Sequence, residues 1–361
     1  MKNNACIVGF FLVLITLILC GCQDLFIDDG KTIYQSHATK ISYTLSYGYK
    51  INCSNTGRYK IHYNCDLPEV LKGQILSTEV HNEDFEEKII VTNNIIYVWD
   101  INSFLTKNYD LGVTTSVEAE SYIGSDLNGE NALSIQEIKD KYQTYIKQYC
   151  QAQANDTTIY IDPNNPSIKV IASNLLNAAG TNNSFLVTME IFKWLKENTF
   201  YQVHIKNNNP QPVSVTLQNK TGDCDDLSFL YISLCRSIGI PSRFVRGFLI
   251  EENNAIPHAW VEVFVGPNIG INGWIPVECA GVSSDVETEI YQNFGLESVD
   301  HLRLFKDDGS NESLNISLSG ISYITYGDRK IDASSFADVS NYVVLGSNEL
   351  LIDEKGNRRY I

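Results

Sequence analysis

Three residues in the second half of the chain have the types and the order of an activated-thiol site. Cys224 directly precedes an apolar run, His258 begins a β-rich stretch, and Glu278 ends the next one. A thiol becomes a nucleophile when a histidine takes or shares its proton, and a carboxylate fixes the histidine tautomer and stabilises the imidazolium. The three residues together predict catalysis by a thiol, although each of them alone also fits a structural role.

The apolar run after Cys224 has helical spacing and predicts an amphipathic helix. Its inward-facing residues are Leu227, Leu230, Tyr231, Leu234 and Ile238. Cys224 then lies at the helix N-terminus on the same face, with Thr221 or Asp223 as the cap. Free backbone amides and the positive end of the helix dipole lower the pKa of a thiol at that position. Three neighbouring carboxylates oppose this effect, those of Asp223, Asp225 and Asp226.

The segments that follow predict an antiparallel meander packed on this helix. Three β-rich runs cover 243–250, 258–265 and 274–279, and the connections between them have turn compositions. Side chains alternate along a strand, so His258 shares a face with Trp260 and Glu262. The meander thus places His258 and Glu278 on neighbouring strands.

This whole block resembles the core of the transglutaminase-like superfamily, with four motifs in the order of that family. The motifs are Gly222-Asp223-Cys224-Asp225-Asp226, Ser237-Ile238-Gly239-Ile240-Pro241-Ser242-Arg243, His258-Ala259-Trp260-Val261-Glu262-Val263 and Gly273-Trp274-Ile275-Pro276-Val277-Glu278. The resemblance implies an α+β fold with a papain-like core, in which a helix packs on an antiparallel sheet. It also implies Cys224, His258 and Glu278 as the catalytic residues, although Glu278 stands where the family usually has aspartate.

The resemblance further implies acyl transfer from a protein or peptide amide, with a thioester on Cys224 that an amine or water resolves. The backbone N–H of Cys224 is the expected oxyanion donor, and the second donor is not identified. This chemistry requires no metal or organic cofactor, and the sequence has no zinc-type cluster or EF-hand spacing. Three classes stay open: a transamidase, a cysteine peptidase or amidase, and an inactive binding module. We favour the peptidase because water is always available as the acceptor.

The first 22 residues resemble a lipoprotein signal sequence. Lys2 precedes an apolar run from Ile7 to Leu19, and Leu19-Cys20-Gly21-Cys22 completes the pattern. The resemblance implies that residues 1–21 are removed and that lipid on Cys22 anchors the protein to the extracytoplasmic face of the cell membrane. An uncleaved N-terminal helix and an ordinary secretory signal are the alternatives. The net charge of -16 disfavours nucleic acid as a partner, and the oligomeric state is not indicated.

The other segments predict domains on both sides of the catalytic one. The predicted order is a linker over 22–39, a β-rich sandwich-like domain over 40–132, a bridging helix over 133–153, the catalytic domain over 154–300 and a β-rich extension over 301–361. Cys53 and Cys65 flank a turn and could form a disulfide in an oxidising compartment. Cys235 and Cys279 are expected in the core, and Asp300-His301 is interpreted as structural support.

Overall fold

The structure is a computed structural model that describes residues 32–361 except 83, 90–93, 125–126, 154–155, 204–209, 284, 312–313, 315–319 and 354–356. The described residues form six α-helices: α1 (Ile135–Ile138), α2 (Pro166–Ala179), α3 (Ser184–Asn198), α4 (Val213–Asn219), α5 (Cys224–Ser237) and α6 (Val286–Asn293). The strands are β1 (Thr32–Ser54), β2 (Tyr59–Asp66), β3 (Gly73–Val80), β4 (Glu86–Ile89), β5 (Ile95–Ser103), β6 (Lys107–Glu120), β7 (Tyr122–Ile123), β8 (Tyr149–Gln153), β9 (Asp156–Ile161), β10 (Phe200–Tyr201), β11 (Thr221–Gly222), β12 (Ser242–Ile250), β13 (Ala255–Phe264), β14 (Trp274–Val277), β15 (Leu296–Glu297), β16 (His301–Lys306), β17 (Ile321–Thr325), β18 (Lys330–Ile352) and β19 (Arg358–Tyr360).

The predicted helix and meander form the centre of the molecule. An antiparallel sheet of order β14-β13-β12-β16 packs against α5, and the apolar face of that helix is fully buried on it. Gly247 of β12 pairs with His258 of β13 on one side. On the other side of Gly247, β12 closely approaches β16. A Cβ at Gly247 would lie 1.8 Å from the carbonyl oxygen of Leu302, so this register requires glycine. The expected helix-on-antiparallel-sheet core is confirmed.

A β-rich region precedes this core in the chain, as predicted, and strands that follow the core complete its two sheets. This β-rich module consists of a five-stranded sheet, β19-β18-β1-β6-β3, and a four-stranded sheet, β17-β2-β5-β4. The long strand β18 pairs antiparallel with β1 from Thr32 opposite Ile352 to Ser54 opposite Lys330. The chain's C-terminal strand is therefore part of the sheet in which the first described strand lies. Apolar residues of the sheet that packs on α5, including Ile250 and Leu302, belong to the buried cluster of this module.

The continuous helix predicted over 133–153 is wrong. The capping box at its start is present, with Ser134 N–H donating to Glu137 Oε2 at 2.8 Å, but α1 ends four residues later. A 3₁₀ turn, Gln143–Ile146, and strand β8 follow. Tyr145 packs edge-on against Trp274 at 5.1 Å between ring centroids, and the Lys147 carbonyl accepts from Arg236 at 2.7 Å. These contacts with the core hold the backbone in a path that a straight helix cannot follow.

Four described cysteines outside the site are free thiols: Cys53, Cys65, Cys235 and Cys279. Cys53 and Cys65 are buried and unlinked, and burial raises the pKa of Cys65 to about 12. Cys235 and Cys279 are buried in the core, as expected. The lipid-attachment residue Cys22 lies outside the described residues. In the part of the chain that is described, none of the helices has the length and apolar character needed to cross a membrane.

Candidate active site

The start of α5 is held by a reciprocal pair of acidic side chains. Asp223 is the N-cap and accepts from Asp226 N–H at 3.5 Å, while Asp226 accepts from Asp223 N–H at 3.1 Å. The buried Asp226 carboxylate also accepts from the backbone and side-chain nitrogens of Gln211, at 2.6 and 2.8 Å. A Cβ on Gly222 would lie 2.5 Å from the Cβ of Asp226, so glycine is required there. This capping box fixes the first turn of the helix and the Gln211 backbone beside it.

Cys224 is the first residue of α5, and its thiol is half-buried against β13. The backbone of Ala259, the residue after His258, is near enough to the thiol to act on its pKa in the downward direction. Among the hydrogen bonds between described residues, none joins the thiol to the His258 ring itself. Burial raises the pKa of the thiol, and the carboxylates of Asp225 and Asp223 raise it further. The net shift of the thiol pKa is upward, against the lowering that the helix terminus predicts.

Asp225 is the neighbour of the thiol whose charge changes near neutral pH. Burial, with the negative charges of Asp223 and Asp226, raises its pKa to about 7. The positive charges of Arg246 and His258 act in the opposite direction. Asp225 therefore lies within electrostatic reach of both the thiol and the imidazole. The sequence places it in the first turn, but does not show that it is desolvated there.

His258 and Glu278 are joined directly, as the meander predicts. His258 Nε2 lies 2.7 Å from Glu278 Oε2, and the other carboxylate oxygen accepts from the N–H of Ala280 at 2.6 Å. Burial alone would raise the pKa of Glu278, but the charges and hydrogen bonds of His258 and His301 bring it well below its usual range. Glu278 is therefore an ionised carboxylate that accepts from three donors. Glutamate at this position reaches His258 at ordinary hydrogen-bond length.

His301 is the residue of this site that the sequence reasoning did not assign to it. Its Nε2 lies 3.0 Å from Glu278 Oε2, and its Nδ1 lies 3.0 Å from Asp300 Oδ1. Burial alone would lower the pKa of His301, but the hydrogen bonds to Asp300 and Glu278 raise it to about 10. The adjacent acid was visible in the sequence. The pairing of β16 with β12, which brings His301 beside Glu278, was not.

Motif residues that do not reach the thiol form a buried ionic layer beneath it. Arg303 Nη1 donates to Glu262 Oε1 at 2.7 Å, and Arg243 Nε donates to Glu262 Oε2 at 2.6 Å. Arg303 also binds Glu297, which accepts from Trp260 Nε1 at 2.9 Å. Burial opposes ionisation of Glu262, yet the two guanidinium groups lower its pKa to about 2. This layer fixes Trp260, whose ring stacks on His258 at 6.0 Å between centroids.

Two apolar side chains stand exposed beside the thiol. Phe200 and Tyr201 form β10, which pairs with β11 immediately before the cap of α5. Their exposed fractions are 71% and 42%. Burial raises the pKa of the Tyr201 hydroxyl, and the nearby Cys224 raises it further, so the hydroxyl lies within electrostatic reach of the thiol. The surface next to Cys224 is thus apolar as well as acidic.

The comparison with protein families agrees with this geometry. Residues 174–279 match the description "Transglutaminase-like superfamily". This segment is thus similar in sequence to that superfamily. The matched segment contains Cys224, His258 and Glu278, whereas His301 lies beyond its last residue. No curated protein is similar enough to the chain to count as a relative.

Solved structures that match this chain include proteins from bacteria and fish. A protein from Cytophaga hutchinsonii, whose name proposes a cysteine protease, is 14% identical over 86% of this chain and 99% of its own, with a TM-score of 0.50. The periplasmic domain of TgpA from Pseudomonas aeruginosa is 12% identical over 70% of this chain and 93% of its own, with a TM-score of 0.33. Red sea bream transglutaminase is 11% identical over 87% and 78%, with a TM-score of 0.29. The first of these supports the fold of the chain.

The candidate site also contains a group of side chains with the donor types of a metal site. The ligand atoms of His258, Glu278 and His301 all lie within 4.8 Å of one another. The same three atoms, however, are joined by the two hydrogen bonds to Glu278 Oε2. A cation would have to displace the proton that each ring shares with the carboxylate. The arrangement fits a chain of proton-sharing groups, and the expected independence from metal stays a prediction.

Proposed function

We propose that this protein is an extracytoplasmic thiol acyltransferase of the transglutaminase-like class that cleaves or transamidates protein or peptide amides. One observation carries the proposal. The Cys224 thiol lies at the N-terminus of α5 against the backbone that follows His258, and His258 Nε2 is held by Glu278 at 2.7 Å. With Nε2 occupied, Nδ1 is the ring atom that can exchange a proton with the thiol.

The first half-reaction forms the thioester. His258 Nδ1 takes the thiol proton while Cys224 Sγ attacks the amide carbonyl carbon, and the carbonyl oxygen becomes an oxyanion. The first backbone amides of α5 have no partner within the helix, so the Cys224 N–H serves as a donor to that oxygen. Collapse of the intermediate breaks the C–N bond, and the amine leaves with the proton from His258. Glu278 stabilises the imidazolium throughout.

The second half-reaction decides between hydrolysis and transamidation. Either water or a primary amine gives a proton to His258 and attacks the thioester carbon, and Cys224 leaves as the thiolate and recovers the proton. Phe200 and Tyr201 provide an apolar surface that suits a side chain of a protein or peptide acyl donor. We favour hydrolysis because water needs no dedicated acceptor site.

The test follows both products in one reaction. The purified protein is incubated with casein and a labelled primary amine, and amine incorporation and new N-termini are both measured. Cys224→Ala removes the product, whereas Cys235→Ala serves as the matched control because that thiol is buried in the core. New N-termini support a peptidase, and incorporated amine supports a transamidase. Neither product over varied substrates would support the inactive binding module instead.

The cellular location is a second part of the proposal. Lipid on Cys22 would hold the protein at the extracytoplasmic face of the membrane, where protein substrates are accessible. Cys22→Ala is expected to release the protein from the membrane fraction, and the mass of the mature N-terminus identifies the modification. Retention of Cys22→Ala in the membrane would favour an uncleaved N-terminal helix.

A further inference from the structure

The His301 side chain is bonded at both of its ring nitrogens inside the protein. Nε2 contacts the same Glu278 oxygen as His258, and Nδ1 contacts Asp300 Oδ1 at 3.0 Å and Ser298 Oγ at 2.8 Å. The Ser298 hydroxyl proton is itself donated to Asp300. An ionised carboxylate only accepts, so a ring that contacts a carboxylate through each nitrogen donates through both. The geometry thus gives His301 two ring protons and a positive charge.

The ring is also fixed in place. His301 begins β16 and pairs with Leu249 of β12, in the sheet that carries His258 on β13. Its ring meets Trp260 edge-on at 4.8 Å between centroids and His258 at 5.6 Å. The His301 charge therefore lies close to the imidazole that exchanges a proton with the thiol.

We propose that His301 is a positioning residue of the acyl-transfer site, which keeps Glu278 ionised and turned toward His258 and sets the pH range of the reaction. The inference rests on the proposed function and deepens it. His301 has no contact with substrate in this role, since it acts through Glu278 and through its charge. The site is then a relay of four side chains: Cys224, His258, Glu278 and His301.

The direction of the pH effect follows from electrostatics. The reactive Cys224–His258 pair holds one proton between its two members, so activity is lost when a second proton binds and when the last one leaves. A fixed positive charge nearby disfavours both protonated forms and lowers both apparent pKa values. Loss of the charge on His301 therefore moves both limbs of the pH profile to higher pH.

Other titratable groups around His301 must be considered with it. Those that face it or its partner Asp300 from the packed elements are Glu278, His258, Asp300, His37, Tyr43, Tyr342 and Tyr360. Burial raises the pKa of the three tyrosines above the ordinary value, so these groups stay neutral in the range of the experiment. Burial lowers the pKa of His37, against the attraction of Asp300. These groups are the same in the parent and in the variants below.

The test compares His301→Gln with the parent and with His62→Gln. Glutamine keeps an N–H donor near the position of Nε2 but has no charge. His62 is the matched control because it also contacts an aspartate, Asp100, at 2.7 Å, but lies exposed on β2. Iodoacetamide labelling of Cys224 and the hydrolysis or transamidation rate are measured from pH 5 to 9. His301→Gln is expected to shift the profile upward by about one pH unit, with kcat lowered and KM nearly unchanged. His62→Gln is expected to keep the parent profile.

The outcomes separate this inference from the proposed function. A His301→Gln profile that is lower in rate but has the same pH limbs overturns the positioning role and leaves the proposed function intact. If Cys224 labels no faster in the parent than in His258→Ala, the proposed function is overturned. The role of His301 is then overturned as well.

A second measurement needs no active variant. In protein labelled with ¹⁵N-histidine, both ring nitrogens of His301 are expected to carry hydrogen from pH 5 to 8, and the His301→Gln spectrum, if that variant folds, assigns the signals. If His301→Gln does not fold, the His301 signals are assigned from the change in chemical shift that Asp300→Asn causes. A His301 ring with one N–H in this range overturns the inference.

Discussion

Asp225 and Cys224 share the first turn of α5, and the negative charge of the carboxylate opposes formation of the thiolate. Because the pKa of Asp225 is about 7, this opposition exists above pH 7 and disappears below it. We expect Asp225→Asn to label with iodoacetamide about tenfold faster than the parent above pH 8, through a lower thiol pKa. Below pH 6 the two rates should converge.

The control for this experiment is Asp110→Asn, which removes an exposed carboxylate that contacts His81 on another sheet. Its labelling rate should equal the parent rate at every pH. A ratio between Asp225→Asn and the parent that is the same from pH 5 to 9 would contradict the titration of Asp225 in this range.

Substitutions of Glu278 provide a second test, which concerns its role in orienting His258. Glu278→Gln removes the charge that stabilises the His258 imidazolium, and we expect kcat to fall by about 10² to 10⁴. Glu278→Asp shortens the side chain by about 1.5 Å, which leaves the hydrogen bond to His258 too long, so activity should fall as well. Glu287 is an acid in the first turn of α6, and Glu287→Gln is the control. The steady-state rates of the two Glu278 variants are compared with the rates of this control. Turnover within a few-fold of the parent in both variants would remove the orienting role.

Among the elements, α5 depends on its capping box. The buried Asp226 carboxylate accepts from Asp223 and from two nitrogens of Gln211. Asp285 caps α6 as an exposed side chain that accepts from the backbone N–H and the hydroxyl of Thr288, at 2.8 and 3.0 Å. We expect Asp226→Ala to lower the free energy of unfolding by about 3 kcal/mol and Asp285→Ala by about 1 kcal/mol. Denaturant unfolding measures both. Equal losses would show that the bonds to Gln211 contribute nothing to stability.

The same elements show which parts of the sequence could be interpreted directly. Helix α5 and strands β12 to β14 were predictable because their apolar residues follow one period and their ends carry turn residues. The stretch 133–153 has the same helical period, but its aromatic residues pack on Trp274 and its backbone binds Arg236, so tertiary contacts determine its path. The position of His301 beside Glu278 could not be predicted, for a related reason. The neighbour of a strand in a sheet depends on pairing across distant segments, which the pattern within β16 does not contain.

In the whole molecule, the last strand of the chain supports the loop that carries Glu278. The buried Arg358 guanidinium donates to the carbonyls of Tyr291 at 2.6 Å and of Phe294, at the end of α6. The preceding Asn293 carbonyl accepts from Glu278 N–H at 2.8 Å. Strand β19 is thus connected to the Glu278 backbone through α6.

Arg358 can be tested against its exposed neighbour. Arg358→Ala leaves buried carbonyl groups without donors, and we expect a loss of about 3 kcal/mol in unfolding free energy together with a lower kcat. Arg359→Ala should change neither quantity, because that side chain is exposed. The pair is compared by thermal unfolding and by the rate of Cys224 labelling. Unchanged activity in a destabilised Arg358→Ala protein would show that α6 positions Glu278 without help from the C-terminus.

The pairing of β1 with β18 has a consequence for how the chain acquires its structure. β1 forms the middle of its sheet between β6 and β18, but β18 ends at Ile352, about three hundred residues after β1 begins. During synthesis β1 therefore keeps one edge unpaired until β18 has emerged. The helix and meander around Cys224 are built from nearby segments and can form earlier, whereas contacts between such distant segments form slowly. An interrupted or truncated chain would then contain an intact thiol site joined to an unpaired, aggregation-prone strand.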